Sequence, residues 1–145
     1  MKTITLSFDG YWSDSDRDGI PAQSGVYCVY SCEVNYDRVI TIHDLLYIGE
    51  GRDVNDRIKT HNRKDDWMRS LTPGETICYS FAAIGESDRE RAEAALIFKM
   101  RPPFNDEHTK VFIYEDTEMV VEGKNALLEQ RFNVVKDERH GITYL

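Results

Sequence analysis

The stretch Gly25-Val26-Tyr27-Cys28-Val29-Tyr30-Ser31-Cys32-Glu33-Val34 decides the fold, together with Val39-Ile40-Thr41-Ile42-His43-Asp44-Leu45-Leu46-Tyr47-Ile48-Gly49 after residues 35–38. Residues 26–34 and 39–48 are rich in β-branched and aromatic side chains, and the polar interval Asn35-Tyr36-Asp37-Arg38 between them predicts an antiparallel hairpin. Alternation along the first arm places Val26, Cys28, Tyr30, Cys32 and Val34 on one face. Tyr27 then points to the other.

On the N-terminal side, residues 2–8 alternate, with Ile4, Leu6 and Phe8 in step, and predict a short strand. Residues 9–24 are rich in Asp, Ser and Gly and read as a loop. Asp14, Asp16, Asp18 and Gly19 have a superficial likeness to a calcium loop, but Ser24 stands where the later Glu is required, so the cluster reads as a solvated acidic loop. On the C-terminal side, Val54 and Ile58 are four apart for a core, with Arg57 and His61 four apart on a neighbouring helix face. That helix is expected to carry Arg52, Arg57, Lys59, Arg63 and Lys64 as a basic stripe able to meet nucleic-acid phosphates. A Pro73-Gly74 turn leads into a third strand over residues 75–83. Ser87 and Glu90 form a capping box that predicts a helix from near Asp88, ended by Pro102-Pro103. Glu93 lies inside it among Ala92, Ala94 and Ala95, small residues that let this face approach a sheet. Residues 111–114 and 119–121 look like the arms of a second hairpin, and 124–131 look helical.

The chain has 145 residues, 41% apolar and 30% charged, which fits one α+β domain with a real core. A small, mainly antiparallel sheet flanked by helices is expected, with residues 106–145 as a hairpin and helix extension. No apolar run approaches a membrane span and no signal-peptide core follows Met1, so a soluble, cytoplasmic protein is expected. Cys28, Cys32 and Cys78 form no even framework and lack paired Cys-x-x-Cys spacing. They read as reduced core thiols rather than a zinc site with His43. The net charge of −8 argues against a general polyanion binder. Residues 1–51, 52–105 and 106–145 balance at −5, +1 and −4, so the basic residues concentrate in the middle segment.

In order along the chain stand Gly25-Val26-Tyr27, Tyr47-Ile48-Gly49, Arg57, His61, Glu93 and Asn105. Two phenols, a guanidinium, an imidazole, a carboxylate and an amide suit metal-assisted cleavage of a phosphodiester. With Tyr47 ten residues before Arg57, His61 four after it, and Asn105 twelve after Glu93, the ordered set resembles the GIY-YIG nucleases over roughly residues 24–105. Residues 93–105 resemble the family's third block along their whole length.

The resemblance implies a metal-dependent endonuclease acting on DNA, structured or distorted rather than an extended sequence, with Mg2+ or Mn2+ held by Glu93. It implies that Tyr27 or Tyr47 helps to activate water and that Arg57 binds phosphate. His61 is suited to relaying a proton or binding phosphate, and Asn105 to holding Glu93 or the backbone in place. A different class of function is a noncatalytic module that retains the fold and binds nucleic acid, or binds a protein through the acidic extension. The net charge of −8 and Glu50 favour that alternative.

Overall fold

The computed structural model describes residues 1–137, so 138–145 of the extension lie outside the described residues. The order is β1 (Lys2–Ser13), a 3-10 helical segment (Asp14–Gly19), β2 (Gly25–Val34), β3 (Ile40–Gly51), α1 (Val54–Lys59), α2 (Lys64–Arg69), β4 (Thr76–Ala83), α3 (Glu86–Met100), β5 (Thr117–Gly123) and β6 (Arg131–Val134). The fold is α+β. One six-stranded sheet runs β3-β2-β4-β1-β5-β6. Every neighbouring pair is antiparallel except β1 with β5, which is parallel, so the sheet is mixed.

The predicted hairpin forms, with Tyr27 opposite Gly49 and Val29 opposite Tyr47. Its face assignment holds. Val26, Cys28, Tyr30 and Cys32 join Leu6, Phe8, Ala92, Ala95 and Leu96 under α3. Tyr27 and Val29 join Val54, Ile58, Trp67, Tyr79 and Phe81 under α1 and α2. Burying Val54 and Ile58, spaced one turn apart, is worth roughly 1.5–3 kcal/mol each and fixes the roll of α1 against the sheet. The three cysteines are free and buried, as a core role requires.

Several elements differ from the sequence pattern. β1 continues through residues 9–13, which read as loop, because Asp9 and Gly10 pair with Phe81 and Ser80 of β4. The acidic loop is a short 3-10 helix whose end is tied down by Asn55, which donates to the carbonyl of Ile20 at 2.7 Å. Of the helix expected over residues 52–64 only α1 forms, ending at Lys59, and α2 begins anew at Lys64, so His61 lies between them and not on a shared face with Arg57. Gly85, not Ser87, caps α3, and no side chain closes a capping box. Residues 111–114 are not a strand. Phe112 is buried in the core from an irregular segment, and the second hairpin pairs β5 with β6 instead. Residues 124–130 are turns and bends rather than a helix, with Leu127 at a positive φ of 64°, and Arg131 already belongs to β6.

Candidate functional site

β3 is an edge strand, and beyond its C-terminal half the layer holding α1 and the layer holding α3 meet around a cleft of about 360 Å³. Tyr27, Tyr47, Arg57, Glu93 and Asn105, named from the sequence, all line it. Local devices bring them there. The β2–β3 register shifts between Val29 and Tyr30, leaving Leu46 as an extra residue immediately before Tyr47. Such a bulge re-aims the side chains beside it. The carbonyl of Leu46 accepts from the Phe104 N–H at 3.1 Å. Asn105 then clasps Ile48, two residues further on, its amide accepting from the Ile48 N–H at 3.0 Å and donating to the Ile48 carbonyl at 2.9 Å. Asn105 therefore closes the sheet edge and holds the chain that follows α3 against β3.

Gly49 explains how Tyr27, one strand further in, reaches the edge. A Cβ on Gly49 would lie 2.3 Å from both Cζ and Oη of Tyr27, so the phenol lies where a side chain of β3 would stand. Tyr27 is fully buried, and its hydroxyl has no hydrogen-bond partner among the described residues. The Tyr27 and Tyr47 rings are 6.3 Å apart, and His61 meets the Tyr47 ring edge-on at 5.0 Å. His61 itself is 6% exposed and packs on Trp67 at 4.5 Å. It stands behind the tyrosines rather than in the cleft lining. The Arg63 N–H donates to His61 Nδ1 at 3.0 Å, which places the ring proton on Nε2, also buried and unpartnered among the described residues.

The electrostatics follow from burial and from which charges are paired. Burial, then Arg57 and Arg63, pushes the His61 imidazole down to about 4, so it is neutral at physiological pH. Burial, then Glu93, raises Tyr47, while Arg57 and Arg63 pull it back. Tyr27 is raised well above its ordinary value by burial and by Tyr47. Glu93, its side chain 16% exposed, is pushed up to about 8 by burial and then by Glu50, Glu107 and Glu90, with Arg57 opposing. Without a cation this carboxyl is mostly protonated at neutral pH.

Among the described residues Arg57 makes no ion pair, so its guanidinium is available to an anion in the cleft. Three of the other four cations of the basic stripe are engaged. Lys64 reaches Asp14 at 3.0 Å, Lys59 reaches Asp18 at 3.8 Å, and Arg63 bonds Asp66 and Asp106, while Arg52 has no ion-pair partner among the described residues. Glu50 lines the cleft and is paired with Arg89, which also donates to Ser24 Oγ at 3.0 Å.

Of the residues named from the sequence, Glu93 is the carboxylate in the cleft that would hold a divalent cation. The ion would offset the burial and repulsion that raise Glu93, and magnesium keeps waters and takes substrate oxygens beside one or two carboxylates. Among the described residues no group of three or more His, Cys, Asp or Glu is placed to hold a metal by itself, so the ion would rest on Glu93 with water and substrate completing its shell. Sequence reasoning missed Asp106, Glu107 and His108, which line the same cleft, His108 Nε2 lying 3.9 Å from Glu93 Oε1. Their only signal was adjacency to Asn105, which anchors the segment that carries them.

No family model matches this chain, and no curated protein or solved structure matches it either. Among the described residues no helix is long and apolar enough to cross a membrane.

Proposed function

We propose that this protein is a metal-dependent endonuclease of the GIY-YIG kind that hydrolyses phosphodiester bonds in DNA. The observation that carries the reading is the convergence of Tyr27, Tyr47, Arg57 and Glu93, from four separate elements, on one cleft, with the Arg57 guanidinium unpaired among the described residues. Glu93 would hold Mg2+ or Mn2+, which when bound would supply Lewis-acid polarisation of the phosphate and a bound water of lowered pKa.

Arg57 binds a non-bridging oxygen of the scissile phosphate and offsets the charge that grows in the transition state. Tyr47 acts as a phenolate, formed when its own proton passes to solvent, and then takes the proton of the attacking water; Arg57 and Arg63 both lower the cost of that phenolate, whereas only Arg57 acts in this way on the deeper Tyr27. Tyr27 orients Tyr47 and offers its free hydroxyl to the site. Neutral His61 buttresses both rings and is not itself the acid at neutral pH. Asn105 acts by fixing the edge of β3.

The internal pairing of Lys59, Lys64 and Arg63 favours weak, local binding over tight binding along a duplex, and it is also what favours the noncatalytic alternative. Exposed or distorted DNA, which needs few phosphate contacts, is therefore the preferred substrate. Incubation of the purified protein with plasmid, single-stranded and branched DNA, with and without magnesium or manganese, tests the reading. Metal-dependent cleavage supports it, and no cleavage of any substrate at any metal concentration overturns it in favour of the module.

A further inference from the structure

Arg63 and Asp106 face each other at the mouth of the cleft. Arg63 comes from the junction between α1 and α2, Asp106 from the segment after α3, and both line the cavity. Arg63 Nη2 donates to Asp106 Oδ2, while Nη1 reaches Asp66 at 3.4 Å. The Asp106 side chain is 82% exposed, so this contact is screened by water and contributes little to holding the fold together. The guanidinium is better placed than its partner. Its main-chain N–H is tied to His61, and its charge acts on the Tyr47 phenol, so it is held close to the groups assigned to the chemistry. A carboxylate and a phosphodiester present the same pair of acceptor oxygens to a guanidinium fork.

We propose that Arg63 is a second phosphate subsite beside Arg57, occupied in the free protein by Asp106 as an internal stand-in for a substrate phosphate. The inference rests on the phosphodiesterase reading above. An entering strand exchanges one of its phosphates for Asp106 on Arg63 while another meets Arg57. Asp106 thereby sets a threshold against ligands that offer a single phosphate, and it is a specificity-determining residue rather than a catalytic one.

The test is a double-mutant cycle read as binding of a fluorescein-labelled branched oligodeoxynucleotide, by anisotropy at low salt with EDTA present so that no cleavage occurs. Asp106→Asn should tighten binding about 3-fold, the size of an exposed ion pair, and Arg63→Gln should weaken it. In the Arg63→Gln background, Asp106→Asn should change nothing. Equal tightening in both backgrounds would overturn the proposal, since Asp106 would then act only as bulk negative charge. So would an unchanged affinity of Asp106→Asn beside a parent that binds. Arg63→Met, which keeps an unbranched stem and removes the charge, replaces Arg63→Gln if the latter melts early. Cleavage by the parent, measured separately with magnesium, distinguishes failure of this inference from failure of the nuclease reading. Absence of both binding and cleavage contradicts the two together.

Discussion

Gly49→Ala is the smallest change that should disable the cleft while leaving every candidate functional side chain in the sequence. The new methyl would lie 2.3 Å from the Tyr27 Cζ and Oη atoms. An ordinary contact is near ~3.6 Å, so the phenol or the β3 backbone must give by about 1.3 Å. Tyr27 is packed among Tyr47, His61 and the residues under α1 and lines the cleft, so the ring can escape the methyl only by shifting within the site itself. Overpacking of this kind costs roughly 1–3 kcal/mol of stability. Displacing a positioned group by about 1 Å costs on the order of 10²-fold in rate. Urea denaturation and a metal-dependent cleavage assay on the same preparation read both effects. A Gly49→Ala variant with parental stability and parental cleavage would refute the claim that Tyr27 reaches the cleft across a bare stretch of β3.

Further expectations concern single groups. Arg57→Ala should abolish turnover and Arg57→Lys should rescue little, because a fork of donors is replaced by a point charge; equal rates for Arg57→Lys and the parent would show that charge alone suffices. Tyr47→Phe should slow cleavage by about 10²-fold or more, and Tyr27→Phe by less; a dead Tyr27→Phe beside a fully active Tyr47→Phe would exchange their roles. His61 predicts a pH dependence of stability. Its folded value of about 4 lies below the unfolded value near ~6.5, so the unfolded chain binds more protons between them. Stability is therefore lost as pH falls through that window, by at most about 3 kcal/mol, and His61→Asn should flatten the curve there. Parallel curves for variant and parent in urea titrations would remove the buried neutral imidazole from the account.

The parts of the fold legible in the sequence are those whose pattern is local. β2, β3 and β4 carry dense β-branched and aromatic residues, and the alternation in β2 separates Tyr27 from the cysteine stripe in agreement with the two cores. The alanines around Glu93 signalled that this face of α3 could approach the sheet, and Glu93 lines the cleft with Tyr47 and Glu50 of β3. What was not legible depends on distant partners. Residues 9–13 are strand only because β4 lies alongside, and although the pattern marks residues 119–121 as strand, nothing local in it signals that β5 pairs with β1 in parallel. Phe112 has the composition of a strand residue but buries its ring from an irregular segment, which no propensity distinguishes. His61 has helical spacing from Arg57, yet α1 has only six residues and ends before it. The bulge at Leu46 and the clasp of Asn105 on Ile48 are long-range devices, and they are what bring residues 106–108 to the cleft.

The central claim is that the cleft cleaves DNA with a cation held by Glu93, and single-turnover cleavage of branched DNA by the parent and by Glu93→Gln, across a magnesium series, tests it most directly. The neutral amide keeps the shape of the side chain and removes the charge that would hold the ion. The account predicts a folded Glu93→Gln variant with parental melting behaviour whose cleavage is lost at magnesium concentrations that saturate the parent. Parental cleavage by Glu93→Gln at ordinary magnesium, or cleavage by the parent that is indifferent to metal, would contradict it.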